Sequence, residues 1–297
     1  MKVERTGNFI MIIFIFSLFL LPAIMSPALA DVSLPKIFSD HMVLQRDTQV
    51  QIWGWAAQGE NITISFNNQK KSVVAGKDGK WSVELSPMAA GGPFELQVSG
   101  KNRIVLKNIL IGEVWICSGQ SNMQRPVSWA FNADQEMAAA DYPHIRLFTV
   151  ERILRAKPID DLNGGEWQIC NPSTINEFSA VGYFFGRALH SELAVPVGLI
   201  STNWGGTVSE TWTSREAFQA FPEFADKLTE LEKTDVETMF EERDQRRKEW
   251  ESQIEASDMG MKEKWYMISS IPAEWQKMDL PQLWENAGLN GLDGIVW

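Results

Sequence analysis

Two short stretches hold residues whose types and spacing could do chemistry. The first is Gly119-Gln120-Ser121-Asn122-Met123, which follows the apolar run 109–115 and precedes Pro126 and a periodic segment, 129–140, that reads as a helix. A serine between a buried strand and a helix, among small and polar neighbours, stands where a serine hydrolase holds its nucleophile. Small residues let the backbone turn sharply there, and N–H groups at a helix start can stabilise an oxyanion. The same residue types also suit an ordinary turn and helix cap, and Met123 stands where the Gly-x-Ser-x-Gly elbow requires glycine. The second stretch is Asn203-Trp204-Gly205-Gly206-Thr207. Gly205 or Gly206 can aim a backbone N–H at an oxyanion, since no Cβ prevents close approach, or can form a plain turn. Glu210 and Trp212 follow, and either line a pocket or pack the edge of a sheet.

The elements around these stretches decide how they are read. Residues 109–115 form an apolar strand with a short break at Gly112, 129–140 a helix, and 145–150 a second strand. Residues 151–177 are polar and loop-like, with Gly164-Gly165 and Trp167. A helix over 178–193 carries Val181, Phe184, Phe185, Ala188 and Leu189 on one face, and 197–201 is a third strand. This alternation predicts a parallel sheet covered by helices, whose active site forms beyond the carboxyl ends of the strands. Ser121 and the Gly205-Gly206 loop both fall at such ends, which favours the nucleophile over the cap.

Residues 31–108 read instead as an all-β unit. Strands at 50–55, 62–66, 70–75, 81–85, 94–98 and 102–106 are separated by Asn67-Asn68, by the hairpin signal Lys77-Asp78-Gly79-Lys80 and by a Gly/Pro turn over 87–93. That spacing predicts an immunoglobulin-like β-sandwich, with its aromatic residues in the core rather than on a carbohydrate platform. Farther along, 215–265 is charged and helical, and Glu241 to Glu249 offers opposite-sign pairs four residues apart. Trp275, 280–284 and 294–297 look like the beginning of another β domain, so the expected boundaries are 31–108, 109–265 and 266–297.

Residues 1–30 have the grammar of a secretory signal peptide: Lys2 and Arg5, an apolar core over 9–24, then Pro27-Ala28-Leu29-Ala30 before Asp31. The mature chain is therefore expected in the periplasm or outside the cell, with no second apolar stretch able to span a membrane. A formal charge of -11 with three histidines argues against nucleic acid and anionic membranes as partners. Cys117 and Cys170 either pair or stay as free core thiols. Neither a glycine-rich phosphate loop nor a metal-ligand spacing is present, so no cofactor or metal is expected.

Several blocks together resemble the sialate O-acetylesterase family, a branch of the SGNH hydrolases that takes in related carbohydrate acetylesterases. They are Phe38-Ser39-Asp40-His41-Met42-Val43-Leu44-Gln45-Arg46, Trp53-Gly54-Trp55, Ile111-Gly112-Glu113-Val114-Trp115, Gly119-Gln120-Ser121-Asn122-Met123 and Trp204-Gly205-Gly206-Thr207 with Glu210 and Trp212. The resemblance implies an SGNH-hydrolase-like parallel sheet, Ser121 as the group that attacks an acetyl carbonyl, and its own N–H with a glycine of Gly205-Gly206 as oxyanion donors. Gln120, Asn122 and Glu210 are then pocket residues, and an O-acetylated sugar is the partner. Two of the family's blocks are not in these residues: Trp-Tyr-Gln-Gly-Glu and the Asp-x-x-His that supplies the general base. His41, His144 and His190 are not in that arrangement and read as structural or surface histidines.

The sheet is accordingly expected to be incomplete and the chain truncated at its apolar end, with a companion chain as an alternative source of the missing half. The implied activity is removal of acetyl groups from sialic acid or related sugars through an acetyl-Ser121 intermediate. An inactive secreted fragment or carbohydrate-binding protein, and an acetylxylan-type esterase, stand beside it.

Overall fold

The computed structural model describes residues 31–155 and 157–291; the signal peptide expected over 1–30 and the strand expected over 294–297 lie outside them. One long strand, β7 (Arg103–Cys117), joins everything that positions the site. Before it come β1 (Val43–Gln45), β2 (Val50–Trp55), β3 (Asn61–Phe66), β4 (Gln69–Val74), β5 (Lys80–Leu85) and β6 (Gly91–Ser99). After it come β8 (Tyr142–Thr149), β9 (Trp167–Cys170) and β10 (Val197–Ser201).

The first half of β7 closes an antiparallel layer in the order β4-β3-β6-β7, and β2 pairs with β5 in a two-stranded layer facing it. Alternation in β2, β3 and β5 sends Val50, Ile52, Ile62, Ile64, Phe66, Trp81, Val83 and Leu85 into the core between the layers. The second half of β7 pairs in parallel with β10, which pairs in parallel with β8; β9 is an antiparallel edge. The sequence places a boundary between residues 108 and 109, and β7 runs across it. One strand belongs to both layers, and no break occurs at Gly112.

Gly112 is instead where β7 changes partners, from Gln45 of β1 on one register to Val197 of β10 at the next residue. A Cβ there would lie 2.0 Å from the carbonyl oxygen of Pro196, so only glycine lets the two backbones approach. Glu113 N–H donates to that same oxygen at 2.9 Å, and the Arg46 guanidinium clamps the Glu113 carboxylate at 2.7 Å.

The helices also depart from expectation. Residues 129–140 are not one helix: α1 (Ser121–Gln124) is a single turn, 127–129 is a 3-10 turn, and α2 (Ala133–Ala139) follows. Helix α3 (Ala180–Leu193) forms as expected, capped by Ser179 Oγ accepting from Gly182 N–H, but it buries a different face. Ala180, Gly182, Tyr183 and Gly186 are buried, whereas Val181 and Phe185 are exposed. The cause is steric. A Cβ at Gly182 would meet Cys117 Sγ at 2.9 Å and one at Gly186 would meet Leu199 at 2.6 Å, so the small-residue face seats closest on β7 and β10.

The charged segment forms α4 (Arg215–Phe218), α5 (Ala225–Lys233), α6 (Val236–Ser257) and α7 (Met259–Lys262). Exposed pairs such as Lys248–Asp244 and Arg247–Glu251 run along α6, as its charge pattern predicted. The β character expected for 266–297 is absent from 266–291, where short 3-10 turns and irregular chain contain Pro272 and Pro281. No helix among the described residues is long and apolar enough to cross a membrane.

Cys117 and Cys170 are separate, buried thiols. Their strands are three positions apart in the order β7-β10-β8-β9, about 14 Å at the usual interstrand spacing, beyond the reach of a disulfide. Burial pushes the Cys117 thiol up to about 11 and the Cys170 thiol up to about 12. The native chain should therefore leave Ellman's reagent unreacted near pH 8 and release both thiols in guanidinium. Recovery of no thiol from the unfolded, unreduced chain would contradict this arrangement.

Candidate active site

The carboxyl ends of β7, β10 and β8 stand level, because Ser201 pairs with both Cys117 and Thr149. From this edge two loops rise side by side. The first leaves β7 through Ser118 and Gly119, whose φ of +143° is open to glycine and strained for other residues, and delivers Ser121 as the first residue of α1. Ser121 is exposed, and its Oγ makes no hydrogen bond among the described residues, so it is not acting as a helix cap. Met123 explains the missing second glycine of an elbow. Its sulfur accepts from Ser179 Oγ at 3.4 Å and it packs against the core under α3, anchoring the turn.

The second loop leaves β10 through Asn203 and carries Trp204 to Thr207. Trp204 N–H donates to Gly119 O at 2.9 Å, Gln120 Nε2 donates to Thr207 O, and Gly205 N–H donates to Gln124 Oε1. These three bonds staple the loops. A Cβ at Gly205 would sit 3.3 Å from Ser121 Cα, which places the glycine backbone against the serine. Gly206, at φ +78°, faces open space.

Three residues outside the expected site hold this arrangement. Gln124, one helical turn after Ser121, occupies the Gly205 amide. Buried Asn203 donates to Ser201 Oγ at 2.6 Å, and Arg152 donates to the Asn203 carbonyl at 3.0 Å. An i, i+3 spacing in a helical turn is a weak signal for Gln124; the Arg152 contact depends on tertiary approach and has no sequence signal.

A cleft of about 790 Å³ opens beside the second loop, lined by Trp204, Gly205, Gly206, Trp212, Phe240 and Arg243 among others, with Ser121 outside its lining. Trp212 Nε1 donates to Thr207 Oγ1 at 2.9 Å, so it supports the loop as well as the cleft. Glu210 borders the neighbouring, larger cleft rather than this one, and Asn122 is exposed on α1. The site residues are thus divided: Gln120, Ser121, Gly205 and Gly206 come together, and Glu210 stands apart.

No histidine reaches Ser121. His41 is bonded to Asn108 at 2.8 Å, and His190 to Val195 O at 2.7 Å with its ring against His144. His144 precedes Ile145, which is level with Val197 at the start of β10. Five strand residues, about 16 Å, separate that edge from Thr149 and the serine loop. Among the described residues no group of three or more His, Cys, Asp or Glu side chains could hold a metal ion.

A serine at the carboxyl end of a parallel strand, facing a glycine loop from the next strand, is a placement in which serine hydrolases built on an α/β sheet hold their nucleophile. No family model matches the chain. Sialate O-acetylesterase of Mus musculus is 36% identical over 201 residues, covering 61% of this chain and 37% of the mouse protein. The Homo sapiens protein of that name is 35% identical over 202 residues, covering 61% and 39%. The crystal structure of a carbohydrate acetylesterase from Xanthomonas citri superposes with a TM-score of 0.62 at 36% identity, covering 63% of this chain and 43% of that one. The chain is thus similar to sialate O-acetylesterases and to a carbohydrate acetylesterase, and it spans about two fifths of the length of the curated relatives it matches.

Proposed function

We propose that this chain is the nucleophile-bearing part of a carbohydrate O-acetylesterase, and that by itself it binds an O-acetylated sugar without enzymatic turnover. The observation that carries this is the Ser121 hydroxyl, without a hydrogen-bond partner among the described residues, with all three histidines at the opposite edge of the sheet. In the complete reaction Ser121 Oγ attacks the acetyl carbonyl, the bond from that carbonyl to the sugar oxygen breaks, the sugar leaves as its free hydroxyl with the serine's proton, and water then hydrolyses the acetyl-Ser121 ester to acetate and restores the serine. The backbone N–H of Ser121 and one of the Gly205-Gly206 amides face the oxyanion. Gly205 N–H is engaged by Gln124, so either Gln124 turns away or Gly206 donates. The proton leaving Ser121 needs a base, and without one the attack loses a factor of about 10²–10⁴.

The substrate is an acetylated sialic acid or a neutral acetylated sugar of the xylan type. Trp204, Trp212 and Phe240 provide faces for a pyranose in the cleft. The leader sequence supports a periplasmic or secreted location, and the acidic charge disfavours nucleic acid as a partner. The module of β2 to β6, read as immunoglobulin-like, borders the cleft system as an accessory unit.

A second reading, activity with a base supplied by further polypeptide, is favoured by the edge of β7. Among the described residues its segment 113–117 pairs on one side only, and Trp115 and Ile116 there are exposed, Trp115 beside Phe185. The test of the main reading is acetate release by the purified mature chain from an acetylated sugar and from an aryl acetate. The expected result is a rate indistinguishable from that of Ser121→Ala. Turnover that disappears in Ser121→Ala would overturn it.

A further inference from the structure

We propose that the outer face of the β2–β5 pair is a sugar-binding subsite for a neutral oligosaccharide. It follows, on the reading of Ser121 given above, that the substrate is an acetylated oligo- or polysaccharide rather than a single sugar. Alternation in β2 turns Gln51, Trp53 and Trp55 outward, two indoles on one face of a strand. Trp53 is 38% exposed, held from below by the edge of Phe38 at 4.6 Å. The register sets Ser82 across from Trp53 and Lys80 across from Trp55. These side chains and Asp160 line a depression of about 480 Å³, in which Lys80 Nζ is pinned to Asp160 at 2.9 Å. Trp81, from the inner face, also borders it because Gly54 opposite carries no side chain; a Cβ there would lie 2.9 Å from the Trp81 ring. The Trp81 Nε1 donor is buried with no acceptor among the described residues, so this wall retains an unsatisfied polar group.

The chemistry selects the ligand. An indole face accepts the apolar face of a pyranose, while Gln51, Ser82, Lys80 and Asp160 form a hydrogen-bonding rim. The one lysine is neutralised by Asp160, and Asp78 adds a second carboxylate to the lining, so anions are disfavoured and a neutral polyhydroxyl ligand fits. The position selects its length. The cleft beside Gly205 shares Val150, Leu154 and Thr211 with a neighbouring cleft of about 980 Å³, and that cleft reaches Trp53 and Asp160, which also border the depression. The three hollows therefore adjoin one another from the Gly205 loop to the tryptophan pair, and binding at the far one would hold a long substrate beside that loop.

The experiment is calorimetric titration of the mature chain with xylohexaose, mannohexaose and cellohexaose, and with the matching monosaccharides. At least one hexasaccharide should bind saturably, at least tenfold more tightly than its monosaccharide. Trp55→Ala and Ser82→Arg should each weaken that binding at least tenfold. Ser82 is exposed, so its replacement blocks the depression without touching the core, and circular dichroism checks that both variants are folded. Binding of none of the three hexasaccharides, or equal binding by both subsite variants, would overturn the subsite. Neither outcome depends on acetate release, so the reading of Ser121 stands or falls separately.

Discussion

Replacing Gly112 with valine should lower the unfolding midpoint by about 10 °C, corresponding to a loss of about 3 kcal/mol. The new Cβ would meet Pro196 O at 2.0 Å and Pro196 C at 2.6 Å, both backbone atoms, so no side-chain rotation relieves the contact. Relief requires β10 to move away from β7, which breaks the Glu113 N–H bond to Pro196 O and shifts the register that keeps Ser201 level with Cys117. Both cores are affected, since Ile109 and Ile111 belong to the first and Cys117 to the second. Gly59→Asn is the control. Its φ of +77° suits asparagine and nothing lies within 4 Å, so it should cost less than about 1 kcal/mol. Thermal denaturation of the three proteins separates the cases, and equal midpoints would contradict the account of β7 as a shared strand.

How much of this was legible in the sequence depends on which forces decide each element. β2, β3 and β5 alternate because one face is buried and the other is not, and that pattern is written in single residues. β9 has no clear sequence signal: four residues flanked by polar chain give too short a run to alternate clearly, and pairing with β8 defines it. The face that α3 buries is not the one its large apolar residues mark. What decides it is how near a helix can come to the sheet, and Gly182 and Gly186 set that distance. Ser121 and Gly205 were placed together by the rule that parallel strands present their carboxyl ends on one edge. Gln124 and Arg152, which hold the loops, act across tertiary distances that no local pattern encodes.

The same geometry sets the chemistry of Ser121. Its hydroxyl is exposed and unpartnered among the described residues, so substrate access is no obstacle, and the loop contacts through Trp204 and Thr207 hold it in place. Among the described residues no histidine stands where it could take the serine's proton. A serine with its ordinary hydroxyl acidity is a poor nucleophile, and a positioned base is worth about 10²–10⁴ in rate. A fluorophosphonate probe reads this directly, because it bonds a serine oxygen only when that oxygen is activated and needs no sugar recognition. Incubated with the mature chain at pH 7.5 and followed by intact mass, the probe should leave the chain unlabelled over a period in which a serine esterase control is fully labelled. Rapid labelling that maps to Ser121 and vanishes in Ser121→Ala would show a base within reach of the serine and contradict the account.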